Sequence, residues 1–515
     1  MALPRRARFL LWGLPALVIA LGIACISLLT VPAPLERRLQ ASVLEALRQH
    51  YGRDVQLENL HVTLIPVFRV TADNFVLPNR DPALPPFLTV KHLTATALPI
   101  DLLRKPIHLM RVKLEGMVIN VPAKGTQKHT EEIQGRTPLR LANFQIDRVE
   151  ADGTELNVLS KQAGREPMNW ELRTLTLRSA GAGQAMHFQA ELTNPKPPGI
   201  IHTTGTFGPW NFDEPSDTPV SGHYIFQNAD LSVFNGISGI LSSTGDYTGV
   251  LQNIVVDGTT DTPDFKLDNG AKAVHLSTQF HAIVDGTNGN TYLQPVKAHF
   301  LNSNLTATGE VAGRPGEHGK TVTLRVDVRN ASVQDLLQLA VDSAQPMLTG
   351  TITAHVKMVV PPGKQKALDK LQVAGDFDIR DGRFTSDNVK QAVVSLSRRA
   401  QGRPSDESIQ DVPAELSGTF TLGNSDLHFS GLQFGVPGVD AQVKGSYALR
   451  SETIDLKGDV RLQAHVSQTM TGANRILLKP VDPLFARHHA GTYLPVNISG
   501  AKEHPQIKLD VKKVF

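Results

Sequence analysis

The stretch Gly313-Arg314-Pro315-Gly316-Glu317-His318-Gly319-Lys320-Thr321 comes nearest in this 515-residue chain to a ligand-binding motif. Gly319-Lys320-Thr321 has the ending of a phosphate loop, in which glycine N–H groups and a lysine cradle phosphate oxygens ahead of a helix. That loop needs another glycine five residues before Gly319, where Arg314 stands. Thr321 also opens an alternating run that predicts a strand, so a hairpin tip is expected instead. Neither Gly-x-Ser-x-Gly nor His-Glu-x-x-His occurs. His488 and His489 are adjacent, and neighbours on a strand point to opposite faces, which makes a poor chelate. Asp327, Asp376, Asp378 and Asp510 fall at turns or polar strand positions, where carboxylates are solvated. Cys25 is the only cysteine and lies in an apolar segment, which leaves no disulfide, thiol nucleophile or cysteine-based zinc site beyond it. No metal, cofactor or enzymatic activity is expected.

Such residues would have to be carried by strands. In Thr321 to Val328 the apolar set Val322, Leu324, Val326 and Val328 alternates with Thr323, Arg325 and Asp327, the period of a half-buried strand. Ile352, Ala354, Val356 and Met358 repeat it, as do Ile454, Leu456, Val460 and Leu462, and then Ile507, Leu509 and Val511. About 25 strands are expected, more than the ten or so that an open sheet usually holds. Few helices are predicted to cover their apolar face. The sheet either folds into closed sandwiches or curls into a trough whose lining only an apolar ligand would fill. Candidate lining residues are Val322, Leu324, Val326, Val328, Ile352, Val356, Ile454, Leu456, Ile507 and Leu509. Each taken singly reads first as ordinary sheet packing; only their collective excess over the available cover argues for a ligand.

Residues 9–31 carry no charge and are long enough to cross a bilayer core. The apolar run exceeds that of a cleaved signal peptide, and a retained transmembrane anchor is expected. Arg5, Arg6 and Arg8 before it favour a cytosolic N-terminus, though Arg37, Arg38 and Arg48 follow it. A net charge of +3 with dispersed cations offers no basic stripe for nucleic acid.

The reading divides the chain into a cytosolic N-terminus (1–8), the anchor (9–31), a helix-plus-strand region (32–125), a central β-groove (126–345) and a C-terminal β region (346–515). An amphipathic helix is predicted over 35–51, and short helices over 100–103, 332–341 and 386–399, the last with Val389, Val393, Val394 and Leu396 as an apolar stripe. Loops are expected over 125–137, 194–219 and 402–412. Asp152-Gly153, Asp257-Gly258, Asn269-Gly270, Asp285-Gly286 and Asp381-Gly382 read as turns, most of them suited to short hairpin connections.

Val55-Gln56-Leu57-Glu58-Asn59-Leu60, Leu88-Thr89-Val90-Lys91-His92-Leu93 and Leu109-Met110-Arg111-Val112-Lys113-Leu114-Glu115-Gly116 resemble the N-terminal region of the AsmA family. Phe377-Asp378-Ile379-Arg380-Asp381-Gly382-Arg383-Phe384 is similar to its recurrent strand phrases. Tyr493-Leu494-Pro495-Val496-Asn497-Ile498-Ser499-Gly500 resembles its C-terminal region. The resemblance implies the repeating β-groove lipid-transfer superfamily that includes TamB and YhdP. It therefore implies a mainly β protein: an N-terminal transmembrane helix, then an elongated, curled antiparallel β-sheet, the β-groove or taco, with a few short capping helices. It further implies a single-pass bacterial inner-membrane protein with its bulk in the periplasm, moving phospholipid toward the outer membrane and serving outer-membrane homeostasis. The partners implied are phospholipid, the inner membrane, and an outer-membrane or periplasmic protein. The alternative is an assembly factor or scaffold for outer-membrane protein biogenesis, acting through sheet edges.

Overall fold

The computed structural model describes residues 41, 45, 55–63, 67–79, 82–103, 107–121, 144–158, 168–181, 184–209, 217–268, 272–286, 288–313, 319–341, 345–363, 365, 367–486, 491–501 and 506–509. The expected span over 9–31, most of the helix over 35–51, the polar stretch 125–137, Asn269-Gly270 and His488-His489 lie outside the described residues. Among the described residues no helix is long and apolar enough to cross a membrane. The protein is mainly β, with 24 strands among the described residues, near the number expected from the alternation. It forms two compact units. The first takes the described residues of Met1–Asp230 with Leu241–Gly258 and Ile283–Gly289; the second takes Leu231–Ile240, Thr259–Ala282 and the described residues of Asn290–Phe515.

In the first unit, β1 (Gln56–Thr63), β2 (Phe68–Leu77), β3 (Leu88–Ala97), β4 (Ile107–Val121), β5 (Phe144–Val158), β6 (Met168–Gly181), β7 (Met186–Pro195), β8 (Pro198–Phe207) and β9 (Pro219–Asp230) each pair with the next. All these pairs are antiparallel except β4–β5, which is parallel, with Val112 opposite Val149. This corrects the expectation of antiparallel pairing throughout. Parallel neighbours need a connection of a dozen or more residues, and the polar stretch read as a boundary lies between these two strands. One face of β2 to β5 is closed core: Phe68, Val70, Phe75, Leu88, Leu109, Val112, Leu114 and Val149 are all buried. Farther along the ladder Leu175, Leu177, Phe188, Ile201 and Phe226 are only half-buried.

The described residues of the loop expected over 194–219 are largely strand. Three of its prolines fall at strand limits: Pro195 ends β7, Pro198 starts β8 and Pro219 starts β9, positions where a missing N–H costs no ladder bond. Three Asp-Gly pairs also depart from expectation. Asp152-Gly153 lies inside β5, Asp257-Gly258 inside β12 (Asn253–Leu267), which in chain order follows β10 (Ile237–Ser238) and β11 (Ile240–Val250) and precedes β13 (Val274–Val284), and Asp381-Gly382 lies inside β18 (Gln372–Phe384). Asp381 has a φ of +51°, and the register with each neighbour breaks beside it. A lone left-handed residue in one strand produces a bulge, whereas a hairpin reversal of this type needs two. Asn424 and Ser425, both with positive φ, form such a reversal.

The second unit holds an antiparallel meander: β14 (Thr291–Phe300), β15 (Ser303–Gly313), β16 (Lys320–Ser332), β17 (Leu348–Val360), β18, β19 (Ala414–Gly423), β20 (Asp426–Val436), β21 (Val439–Ala448), β22 (Thr453–Leu462), β23 (Thr492–Ala501) and β24 (Gln506–Leu509). Two helices close one end of its apolar face. Helix Val333–Ala340 starts at Ser332, whose hydroxyl accepts from the Asp335 N–H, satisfying one free helix donor. Asp335 is itself buried and accepts from the Ser303 hydroxyl (2.7 Å) and the Asn302 N–H (2.9 Å). Helix Asp387–Ala400 buries Val394, Ser397 and Ala400. Val389 and Leu396 of the expected stripe are exposed, so the buried face is narrower than the pattern suggested.

Candidate functional site

Pairing in the second unit puts the nominated lining residues on one face. Directly opposed residues share a face and lie side by side, so register can be followed strand by strand. Val326 faces Val356, which faces Gly375, then Phe420, Phe429, Gly445, Leu456, Ile498 and Ile507. A second row runs Leu324, Met358, Val373, Leu422, Leu427, Tyr447, Ile454. Val328 heads a third that reaches Val496 and Leu509. Ile352 lies opposite Ile379 and Val322 opposite Val360.

Burial divides these residues. Val328 is 5% exposed and forms a core with Ala331 and Ala354, against which Val326, Ile352, Val356 and helix residue Leu336 pack. A second core gathers Val394, Ala414, Val436, Val439 and Leu462 beneath helix Asp387–Ala400. Val322, Leu324, Ile454 and Leu456 lie outside both cores and are half-buried, and Leu509 is 50% exposed. Helices thus cover the strand ends beside them, from Val328 and Ala331 across to Ala414, Val436, Val439 and Leu462, and apolar side chains on the remainder keep part of their surface accessible.

Met358, Val373, Phe420, Leu422, Leu427 and Phe429 belong to the same half-buried surface and were not nominated. Simple alternation misses part of it at β20. The register shifts between Phe420 and its neighbour Thr419, with Ser430 left over, so the apolar positions run Leu427, Phe429, then Leu432 and Phe434. The three-residue step is the signature of a bulge, which the Ser430-Gly431 pair would have suggested. Phe377 and Phe420 meet with ring centroids 6.2 Å apart at 54°, a favoured tilted geometry.

The first unit's half-buried face carries hydroxyls as well. Leu175, Ala190, Thr203 and Tyr224 form one cross-strand row. The Thr203 hydroxyl meets that of Tyr247 at 2.7 Å, and Tyr224 meets Ser243 at 2.9 Å. Burial pushes both phenols up from their ordinary pKa of 10.0, against the lowering effect of these hydrogen bonds.

Histidines on polar strand positions pair with carboxylates across strands: in the first unit His92 with Asp73 (2.6 Å) and His223 with Asp246 (2.9 Å), and in the second His355 with Asp376 (3.0 Å). The bond from His92, then that from Asn59, holds Asp73 below the usual carboxylate range. Lys444 sits directly opposite Lys457, beside an open depression of about 450 Å³ that His428, Ser430 and Asp455 also line. Among the described residues no group of three or more His, Cys, Asp or Glu side chains converges as a metal-ligand set. Chemically, the distinctive surface is the apolar one. Comparison with known proteins returned no matching family model, curated protein or solved structure.

Proposed function

We propose that this chain is an inner-membrane-anchored, periplasmic AsmA-like protein that binds phospholipid on its apolar strand face and passes it toward the outer membrane, so maintaining that membrane. The observation that carries the reading is the continuity of the half-buried apolar rows from Leu324 to Ile454 and from Val326 to Leu456. Acyl chains laid along such rows gain roughly 25 cal/mol per Å² of apolar surface removed from water. Headgroups need no buried partner if they stay at the solvated rim. The resemblance of the chain's ends to the AsmA family supports the same assignment.

The test is photocrosslinking on the full chain in a bilayer, with benzoylphenylalanine at Leu427 or Leu456 and, as control, at Lys457 on the polar face. Phospholipid adducts at the first two positions and not at the third are expected. Equal labelling at all three, or none in folded protein, sinks the lipid reading and favours action through sheet edges.

A further inference from the structure

The connection between β22 and β23 carries the most exposed apolar side chains of the described residues. Ile476 and Leu477, adjacent on helix Ala473–Leu478, are 76% and 73% exposed, and Met470 and Leu484 are also exposed. Their surroundings are braced. The Thr492 hydroxyl donates to the Ala464 carbonyl (2.7 Å), and His465 Nδ1 lies 3.1 Å from the Gly491 carbonyl, tying the two stems together. Within the connection, Asp482 accepts from the Ser467 N–H (2.8 Å) and hydroxyl (2.6 Å). The exposed pair therefore stands on a held turn of chain.

Charge distinguishes the occupants this tip could take. Arg475 and Lys479 flank Ile476 and Leu477 and are exposed. Across residues 463–491 the sequence holds Arg475, Lys479 and Arg487 against a single acid, Asp482, whose oxygens already serve Ser467. Bulky apolar residues bordered by long cationic side chains suit a bilayer interface: the former enter the acyl boundary while the latter reach phosphates. We propose that the β22–β23 connection is a docking tip for an anionic lipid surface, with Ile476 and Leu477 inserting and Arg475 and Lys479 binding headgroups. Docking needs no lipid on the strand face, so it can fail or succeed independently of the transfer function.

The experiment uses the full chain in phosphatidylcholine nanodiscs, with Cys25→Ser and an environment-sensitive fluorophore on Leu477→Cys or, as control, on Ser451→Cys in the β21–β22 turn. Separate vesicles of phosphatidylcholine, with or without one third phosphatidylglycerol and a lipid-borne quencher, are then added. Blue-shifted, quenched emission from position 477 with the phosphatidylglycerol vesicles alone is expected, with position 451 unchanged. In a parallel binding measurement, Arg475→Gln with Lys479→Gln should weaken vesicle affinity roughly tenfold or more, and Ile476→Asn with Leu477→Asn roughly a hundredfold, at unaltered melting temperature. No response at position 477, an equal response to phosphatidylcholine, or an equal response at position 451 overturns the proposal, and the first result would point to a protein occupant.

Discussion

Val326 and Leu456 lie on one cross-strand row, joined in register through Val356, Gly375, Phe420, Phe429 and Gly445 although 130 positions separate them in the chain. Their surroundings differ: Val326 packs against the core beneath helix Val333–Ala340, whereas Leu456 belongs to no closed core.

That difference separates folding from ligand binding. Val328→Asp places an unpaired carboxylate in a closed core and should destabilise the second unit by more than about 3 kcal/mol. Leu456→Asp, whose carboxylate can reach water, should cost about 1–2 kcal/mol while abolishing phospholipid crosslinking at Leu427. Denaturant melts beside crosslinking decide it. If Leu456→Asp unfolds the unit as Val328→Asp does, the rows are ordinary core.

Much of this architecture is legible in the chain, and the misses share a cause. Thr321 to Val328 announces β16 because every second residue is apolar, and Ser332 announces the helix after it because its hydroxyl can serve the free Asp335 N–H. Asp381-Gly382 misleads because the same left-handed backbone serves turns and bulges, and strand length on either side decides between them. β20 hides its apolar face because Ser430 inserts one residue and breaks the alternation. Which lining residues are covered is not local information either. Val328 and Leu456 look alike in sequence, and what distinguishes them is the core that Ala331, Ala354 and helix residue Leu336 help to close around the first.

Glycines thin the central row. A Cβ on Gly445, whose φ is +147°, would lie 2.0 Å from the Asp455 carbonyl oxygen. No L side chain fits there without moving β22. Gly445→Ala should therefore cost more than about 2 kcal/mol, measurable as a fall in the urea midpoint at unchanged slope. A neutral result would mean that the β21–β22 ladder yields freely.

On the polar face, Lys444 opposite Lys457 places like charges side by side, which is unfavourable. Lys444→Glu converts the repulsion into a cross-strand attraction and should stabilise the second unit by roughly 0.5 kcal/mol at low salt, with the gain shrinking as salt is added. Loss of stability instead would show that Lys444 makes a contact more valuable than the relieved repulsion.

Tyr224 and Tyr247 give the first unit a pH signature. Burial raises both phenol pKa values in the folded state above the ordinary 10.0, so the unfolded chain releases those protons first as pH rises. Their contribution is intact below pH 10.0 and declines as the pH climbs through that value toward the folded pKa. Tyr247→Phe removes one of the two titrations along with the bond to Thr203. The variant should be less stable than wild type at neutral pH by about 1 kcal/mol, with the gap narrowing as the pH climbs above 10.0. Paired denaturation curves at neutral and alkaline pH test this: a gap that stays constant would place the Tyr247 hydroxyl in contact with water rather than within the half-buried face.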